Sequence, residues 1–179
     1  MKFITDNLKK VGIVNSILII SAVVLRLINF TEAPPLIIID QIVCIIALCF
    51  GLVYSFNGYN KEAANYYKVF MYLYVFSCLL SLVSPIVYRG FENILIIIVN
   101  FAILVCTCLL AFVKDFGKDK STTVACILII LNVIKLINDL LRGLFVTFHF
   151  AGYTGLVQAI VACVLVSHKY IDKETRGTK

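Results

Sequence analysis

Charged residues are scarce in this sequence. Asp, Glu, Lys and Arg together make up 15% of its 179 residues, whereas they supply about 25% of an ordinary soluble domain. Hydrophobic residues make up 61%, and the mean hydropathy is +1.01. A chain of this length cannot enclose so much apolar surface in its own interior. The composition therefore excludes a soluble globule and predicts an integral membrane protein, with the lipid bilayer as its principal partner.

Tryptophan is absent, and histidine occurs only twice. Without Trp, the nine Tyr residues must supply most of the aromatic belt that membrane proteins form at the two interfaces. The two histidines, His149 and His168, lie at opposite ends of the last apolar segment and therefore at opposite membrane faces. They cannot meet in one site, so chemistry based on a pair of histidines is not expected.

The motifs of membrane-embedded enzymes are also missing. The sequence contains no H-E-x-x-H, no G-x-S-x-G, no G-x-G-D and no nucleotide-binding motif. Its seven cysteines fall in apolar runs without zinc-ligand spacing, so we interpret them as small core residues. Asp40 and Asp139 each have a cationic neighbour that favours the ionised carboxylate over a shared proton. We therefore expect no enzyme activity, no metal and no cofactor.

Six apolar segments follow one another along the chain, each near the roughly 20 residues that a membrane helix needs. The first resembles a signal peptide, but its apolar run is longer and no A-x-A cleavage site follows, so we predict a membrane helix there. The predicted fold class is an all-α membrane protein, a single integral membrane domain over residues 1–179 with six transmembrane helices arranged as three hairpins. The predicted helices are 11–30, 36–56, 66–87, 93–113, 122–145 and 152–168.

Lysine and arginine are distributed unequally over the predicted loops. Twelve lie in the two tails and around the links 57–65 and 114–121, whereas Arg89 alone lies in the opposite loops. The positive-inside rule then predicts that both termini are cytoplasmic, and we expect the cell membrane as the location. The net charge of +6 mainly reflects this asymmetry. No pattern of basic residues with interleaved aromatics indicates nucleic-acid binding, and whether the three hairpins form an internal repeat stays open.

Polar residues inside the predicted helices concentrate in the outer half of the membrane under this orientation. Helix five carries the longest set. Successive helical residues turn by about 100°, so Lys135, Asp139 and Arg142 fall on one stripe, flanked by Asn132 and Asn138. The opposite face is Ile, Leu and Val. We therefore predict that this helix turns its polar stripe towards protein or water and its apolar face towards lipid.

Two interpretations of the intramembrane charges stay open. In the structural one, Arg26 pairs with Asp40 and Lys135 pairs with Asp139, and both ion pairs hold the bundle together. In the functional one, polar side chains line a cavity open to the outside, because ionisable residues inside a membrane mark solute pathways. With Arg142 the five charges sum to +1, which favours an anionic or zwitterionic solute. The candidate ligand-binding residues are Arg26, Asp40, Gln41, Asn100, Lys135, Asn138, Asp139, Arg142 and Gln158.

Other features have structural interpretations. Gly155, Ala159 and Cys163 are spaced by four and form a small-residue face suited to close helix packing. Pro85 predicts a kink near the end of helix three, with the freed carbonyl group satisfied locally. Tyr72 and Tyr74 lie deep enough in the same helix to need hydrogen-bond partners.

This layout, with six helices, both termini inside and a polar pocket in the outer half, is similar to that of the substrate-binding subunits of energy-coupling-factor vitamin transporters. It also resembles the small membrane subunit of the bacterial rod-shape machinery. The resemblance is limited to the number and order of the apolar segments. The A-x-x-x-A docking motif of the vitamin transporters is missing from the first helix, SILIISAVVLRL.

The leading hypothesis is a small-solute-binding or transport subunit that works with a membrane-protein partner or as a homo-oligomer. The alternative is a non-catalytic membrane scaffold or accessory component whose charges are structural ion pairs. A small pore is a third class, which the apolar inner half disfavours.

Overall fold

The computed structural model of the protein describes residues 8–28, 34–56, 63–89, 94–113, 117–143 and 151–177. Six α-helices account for nearly all of this part of the chain, so the prediction of an all-helical protein with six helices is confirmed. In chain order they are α1 Leu8–Ile28, α2 Pro35–Phe56, α3 Ala63–Arg89, α4 Ile94–Phe112, α5 Lys118–Gly143 and α6 Ala151–Gly177.

Most helix boundaries lie within about four residues of the predicted ones, but α6 extends to Gly177 instead of ending near residue 168. The hydropathy pattern marked the end of the apolar run, not the end of the helix. The segment that follows is polar and contains Lys, Glu and Arg, which are good helix formers, and no proline interrupts it. Hydropathy alone therefore underestimated the length of this helix.

Local sequence explains where two helices begin. α2 starts at Pro35, whose ring suits the first helical position because the missing N–H would have no intrahelical partner there. The preceding Pro34 carbonyl oxygen accepts bonds from the backbone N–H groups of Ile37 and Ile38. α5 follows Gly117, which has a positive φ of 76° that a residue with a side chain rarely adopts.

The helices pack mainly against their neighbours in sequence, and α6 closes the bundle. Besides α5, α6 contacts α1, α2 and α3. Its apolar part is buried around most of its circumference, with Val157, Ala159, Val161 and Ala162 at 0–1% exposure. α6 is thus the central helix of the bundle. Of the small residues predicted to allow close packing, Gly155 and Ala159 are buried and Cys163 is half-buried.

The outer surface of the bundle is apolar. Large hydrophobic side chains are widely exposed on five helices, among them Ile17, Leu27, Leu95, Ile130 and Leu141. Among the described residues, five helices are long and apolar enough to cross a membrane, and the apolar part of α6, Gly152–His168, is shorter. A surface of this kind is incompatible with water, and it indicates insertion into a bilayer.

The faces of α5 agree with the prediction from helical periodicity. Asn132 is buried and Lys135 is half-buried, whereas Ile134, Ile137 and Leu141 on the opposite side are exposed. The polar stripe therefore faces the bundle and the aliphatic face turns outwards.

Two expectations about burial are only partly right. All seven cysteines are free, but Cys49 and Cys126 are exposed on the outer surface and are not core residues. Of the two tyrosines expected to need partners, Tyr74 is buried at 1% exposure, whereas Tyr72 is 51% exposed. Tyr72 stacks on Phe112 at the bundle surface. Tyr72 and Tyr74 lie on opposite sides of α3, because helical residues two positions apart point about 160° away from each other.

Candidate functional site

A buried ion pair between α1 and α2 lies at one end of the bundle. We call this end, where α1, α3 and α5 finish and α2, α4 and α6 begin, the polar end. Arg26 on α1 donates from Nη1 to Oδ2 of Asp40 on α2 at 3.3 Å. Its Nε donates to Oγ1 of Thr154 on α6 at 2.9 Å. The predicted pairing of Arg26 with Asp40 is confirmed.

The second carboxylate oxygen of Asp40 is also used. Ser77 on α3 donates its hydroxyl to Oδ1 of Asp40 at 2.6 Å. Arg26 and Asp40 are only 6% and 7% exposed, so both charges depend on protein groups and not on water for their stabilisation. The pair and its two hydroxyl partners together connect α1, α2, α3 and α6.

The predicted ion pair between Lys135 and Asp139 is wrong. Asp139 instead accepts a hydrogen bond at Oδ2 from the backbone N–H of Gly152, at 2.8 Å. Gly152 lies in the first turn of α6, where backbone N–H groups have no intrahelical partner and attract an anionic group. Asp139 therefore tethers α5 to the start of α6. Within the described part of the chain, Lys135 forms neither an ion pair nor a hydrogen bond.

Asn100 donates a hydrogen bond to a carbonyl group of α3 that Pro85 leaves without an intrahelical donor. Pro85 has no backbone N–H, so it cannot bond to the carbonyl oxygen of Ser81 four residues earlier. Asn100 on α4 donates from Nδ2 to that oxygen at 2.9 Å. The freed carbonyl group is thus satisfied by a side chain of the neighbouring helix, not by a local group as the sequence suggested. This contact gives Asn100 a structural role.

We expect Asn100→Leu to lower the free energy of unfolding by about 1–3 kcal/mol, because the Ser81 carbonyl oxygen is then buried without a donor. Pro85→Ala restores a backbone N–H for that oxygen, so the loss should shrink strongly in the Pro85→Ala background. The measurement is a double-mutant cycle of unfolding in a denaturing detergent. Additive effects of the two substitutions would contradict this role of Asn100.

A small polar cavity lies beside the ion pair at the polar end. Its volume is about 20 Å³, and a polar cavity that holds one water molecule needs about 10–15 Å³. The cavity therefore has room for a species close to water in size. It is lined by Arg26, Tyr74, Ser77, Cys78, Ser81, Asn100, Ile103, Asn132, Lys135, Gly155 and Gln158.

Three residues that line the cavity each carry a polar group without a partner among the described residues. Two are the buried polar atoms Nε2 of Gln158 and Oη of Tyr74. The third is the ammonium group of Lys135. All three can donate a hydrogen bond. The nearby amides of Asn100 and Asn132 already use Nδ2 on the carbonyl oxygens of Ser81 and Leu128.

The nine residues predicted for a ligand site have different positions. Four line the cavity: Arg26, Asn100, Lys135 and Gln158. Asp40 does not line the cavity but forms the ion pair with Arg26, which does. Asp139 accepts a hydrogen bond from α6. Gln41 is buried and Asn138 is half-buried, and neither lines the cavity. The side chain of Arg142 lies outside the described residues.

Sequence reasoning missed several residues of the polar end. Thr154 and Ser77, which bond to the ion pair, are ordinary hydroxyl residues in apolar helices and carry no distinguishing pattern. Tyr74 was predicted to need a hydrogen-bond partner, but it was not among the predicted ligand-binding residues. Asn132 was predicted to flank the polar stripe of helix five but was not among the predicted ligand-binding residues.

Comparison with known protein families, with curated proteins and with solved structures finds no match to this chain.

Proposed function

We propose that the protein is a polytopic membrane subunit that binds or transports a small anionic or zwitterionic solute, with the polar cavity as its binding site. The observation that carries this proposal is the unpaired ammonium group of Lys135 on the cavity wall. A charge inside an apolar bundle is expensive unless something neutralises it. A solute with an anionic group would supply the missing negative charge.

The proposal includes a topology. The chain crosses the cell membrane six times as three hairpins, with both termini in the cytoplasm and the cavity in the outer half. Support comes from the twelve basic residues of the tails and two links, against Arg89 alone on the other side. α6 makes the sixth crossing with a short apolar run, Gly152–His168, because its neighbours shield it from lipid.

Transport would require help from elsewhere, since the sequence has no nucleotide-binding motif. We therefore propose a membrane-protein partner or a homo-oligomer as the working assembly.

A non-catalytic scaffold or accessory component is the second candidate. It is favoured by the ion pair of Arg26 and Asp40, which is satisfied by Thr154 and Ser77 and needs no ligand. In this alternative the charges of the polar end serve only to hold the helices together.

Thermal unfolding of the purified protein against small carboxylates, amino acids and inorganic anions separates the two candidates. A ligand at a hundred times its dissociation constant adds about 2.7 kcal/mol of stability, which raises Tm by about 5–10 °C for a chain of this size. We expect a saturable rise with at least one compound, and its loss in Lys135→Met.

The matched control is Lys68→Met, because Lys68 is exposed on the opposite half of α3 and does not line the cavity. This variant should retain the ligand-induced rise in Tm. If no compound raises Tm in the unsubstituted protein, the solute-binding proposal is wrong and the scaffold is favoured.

A further inference from the structure

We infer that the cavity at the polar end binds a monovalent inorganic anion of halide size, such as chloride or bromide. This inference rests on the proposed function and names the chemical class of its solute. It depends on three properties of the cavity: its size, the charge of its wall and the kind of polar group left unpaired there.

Size limits the occupant. The cavity volume of about 20 Å³ exceeds the requirement of one water molecule only slightly. A carboxylate with a carbon skeleton, or an amino acid with both of its charged groups, contains several atoms of that size. Such a molecule is larger than the cavity, whose wall is formed by side chains of α1, α3, α4, α5 and α6. A monoatomic anion is closer to the cavity in size.

The charge of the residues that line the cavity favours an anion as its occupant. Arg26 and Lys135 both line the cavity, and the carboxylate of Asp40 offsets one of these two cations through its 3.3 Å contact with Arg26. Among the groups that line the cavity, the remaining positive charge belongs to Lys135. Asp139, one turn away on α5, does not line the cavity and accepts a hydrogen bond from Gly152. A water molecule in the cavity could accept a hydrogen bond from Lys135 but would leave its charge uncompensated in an apolar bundle. An anion compensates the charge and accepts the hydrogen bond.

The unpaired polar atoms are of the donor type as well. Nε2 of Gln158 carries two N–H donors, and the hydroxyl of Tyr74 carries one. Both side chains are nearly inaccessible, at 2% and 1% exposure, and neither atom has a hydrogen-bond partner among the described residues. They come from α6 and α3, and Lys135 comes from α5. The residues that line the cavity thus carry unpaired donors from three helices, an arrangement that suits an anion.

The test uses the full chain in nanodiscs of neutral phosphatidylcholine, with sodium gluconate replaced stepwise by sodium chloride or bromide at constant ionic strength. Binding is followed by the line width of the chloride NMR signal and by Tm. We expect saturable binding of both halides. Lys135→Met should weaken it by about tenfold to a hundredfold, because a charge-assisted hydrogen bond is lost.

Two further variants control for folding and for general charge effects. Gln158→Leu keeps the charge of the cavity and removes one donor, so halide affinity should fall by roughly fivefold to tenfold. It provides the test if Lys135→Met does not fold. Lys68→Met removes an exposed lysine of the opposite half of α3 and should leave halide affinity unchanged.

The possible results are distinguishable. Saturable halide binding that is lost in Lys135→Met and kept in Lys68→Met supports the inference. Stabilisation by a larger carboxylate or amino acid, without any effect of halides, overturns the halide inference but leaves the proposed solute-binding function in place. Halide binding of equal strength in all variants also overturns the inference. No stabilisation by any compound overturns both the inference and the proposed function.

Discussion

Asp40→Asn is expected to lower the free energy of unfolding by about 3–5 kcal/mol, which is the usual effect of removing one partner of a buried ion pair. The substitution keeps the size of the side chain and removes its charge. Arg26 then remains 6% exposed between α1, α2 and α6 without a counter-charge. The measurement is the midpoint and slope of unfolding in a denaturing detergent, followed by the loss of helical circular dichroism.

Asp119→Asn is the matched control, because Asp119 is exposed in the first turn of α5. Only a favourable interaction with the helix dipole is lost there, so we expect a change of about 0.3–1 kcal/mol. The double variant Arg26→Met with Asp40→Leu removes both charges and should recover most of the stability lost in Asp40→Asn. If Asp40→Asn is no more harmful than Asp119→Asn, the ion pair does not stabilise the bundle.

Gly152→Ala is expected to have the second large effect, a loss of about 1–3 kcal/mol from overpacking between α5 and α6. A Cβ atom at this position would lie 2.7 Å from the Leu136 Cα and 2.8 Å from Oδ2 of Asp139. The first of these is a backbone atom, so the clash can be relieved only by separating the two helices. That movement would also stretch the 2.8 Å hydrogen bond from Gly152 to Asp139.

Gly51→Ala is the corresponding control inside α2. Its new Cβ would meet only side-chain atoms, the nearest being Cγ1 of Val161 at 3.0 Å. Side chains can move by a few tenths of an ångström, and alanine is favoured over glycine in a helix by up to about 1 kcal/mol. We therefore expect little change in Tm for Gly51→Ala. Equal losses for the two substitutions would mean that close approach of α5 and α6 at Gly152 is unimportant.

The helices could be predicted because their signal is local. Long apolar runs separated by charged or proline-containing links are visible along the chain, and the six predicted helices agree with the six observed ones. The polar stripe of α5 could be predicted for the same reason, since helical geometry alone assigns Lys135 and Ile137 to opposite sides. The end of α6 was missed because a polar helix carries no hydropathy signal.

Pairing between helices could be predicted only in part. Arg26 and Asp40 lie near adjoining ends of consecutive helices, so matched depth was enough to bring them together. Lys135 and Asp139 share a stripe on one helix, and this spacing suggested an ion pair. In the structure Asp139 accepts a hydrogen bond from the backbone N–H of Gly152 at the start of α6. No local sequence pattern predicts such a contact with another helix.

The amino-acid sequence by itself determined that this protein is helical, that most of its helices suit a bilayer, and that its polar residues gather at one end of them. These properties follow from hydropathy and from the fixed geometry of a helix. Only the tertiary structure decided what each polar residue does. It made Asn100 the partner of Ser81 beside Pro85 and left Lys135 unpaired at a cavity of about 20 Å³. Such roles depend on which side chains of different helices come within about 3 Å of each other.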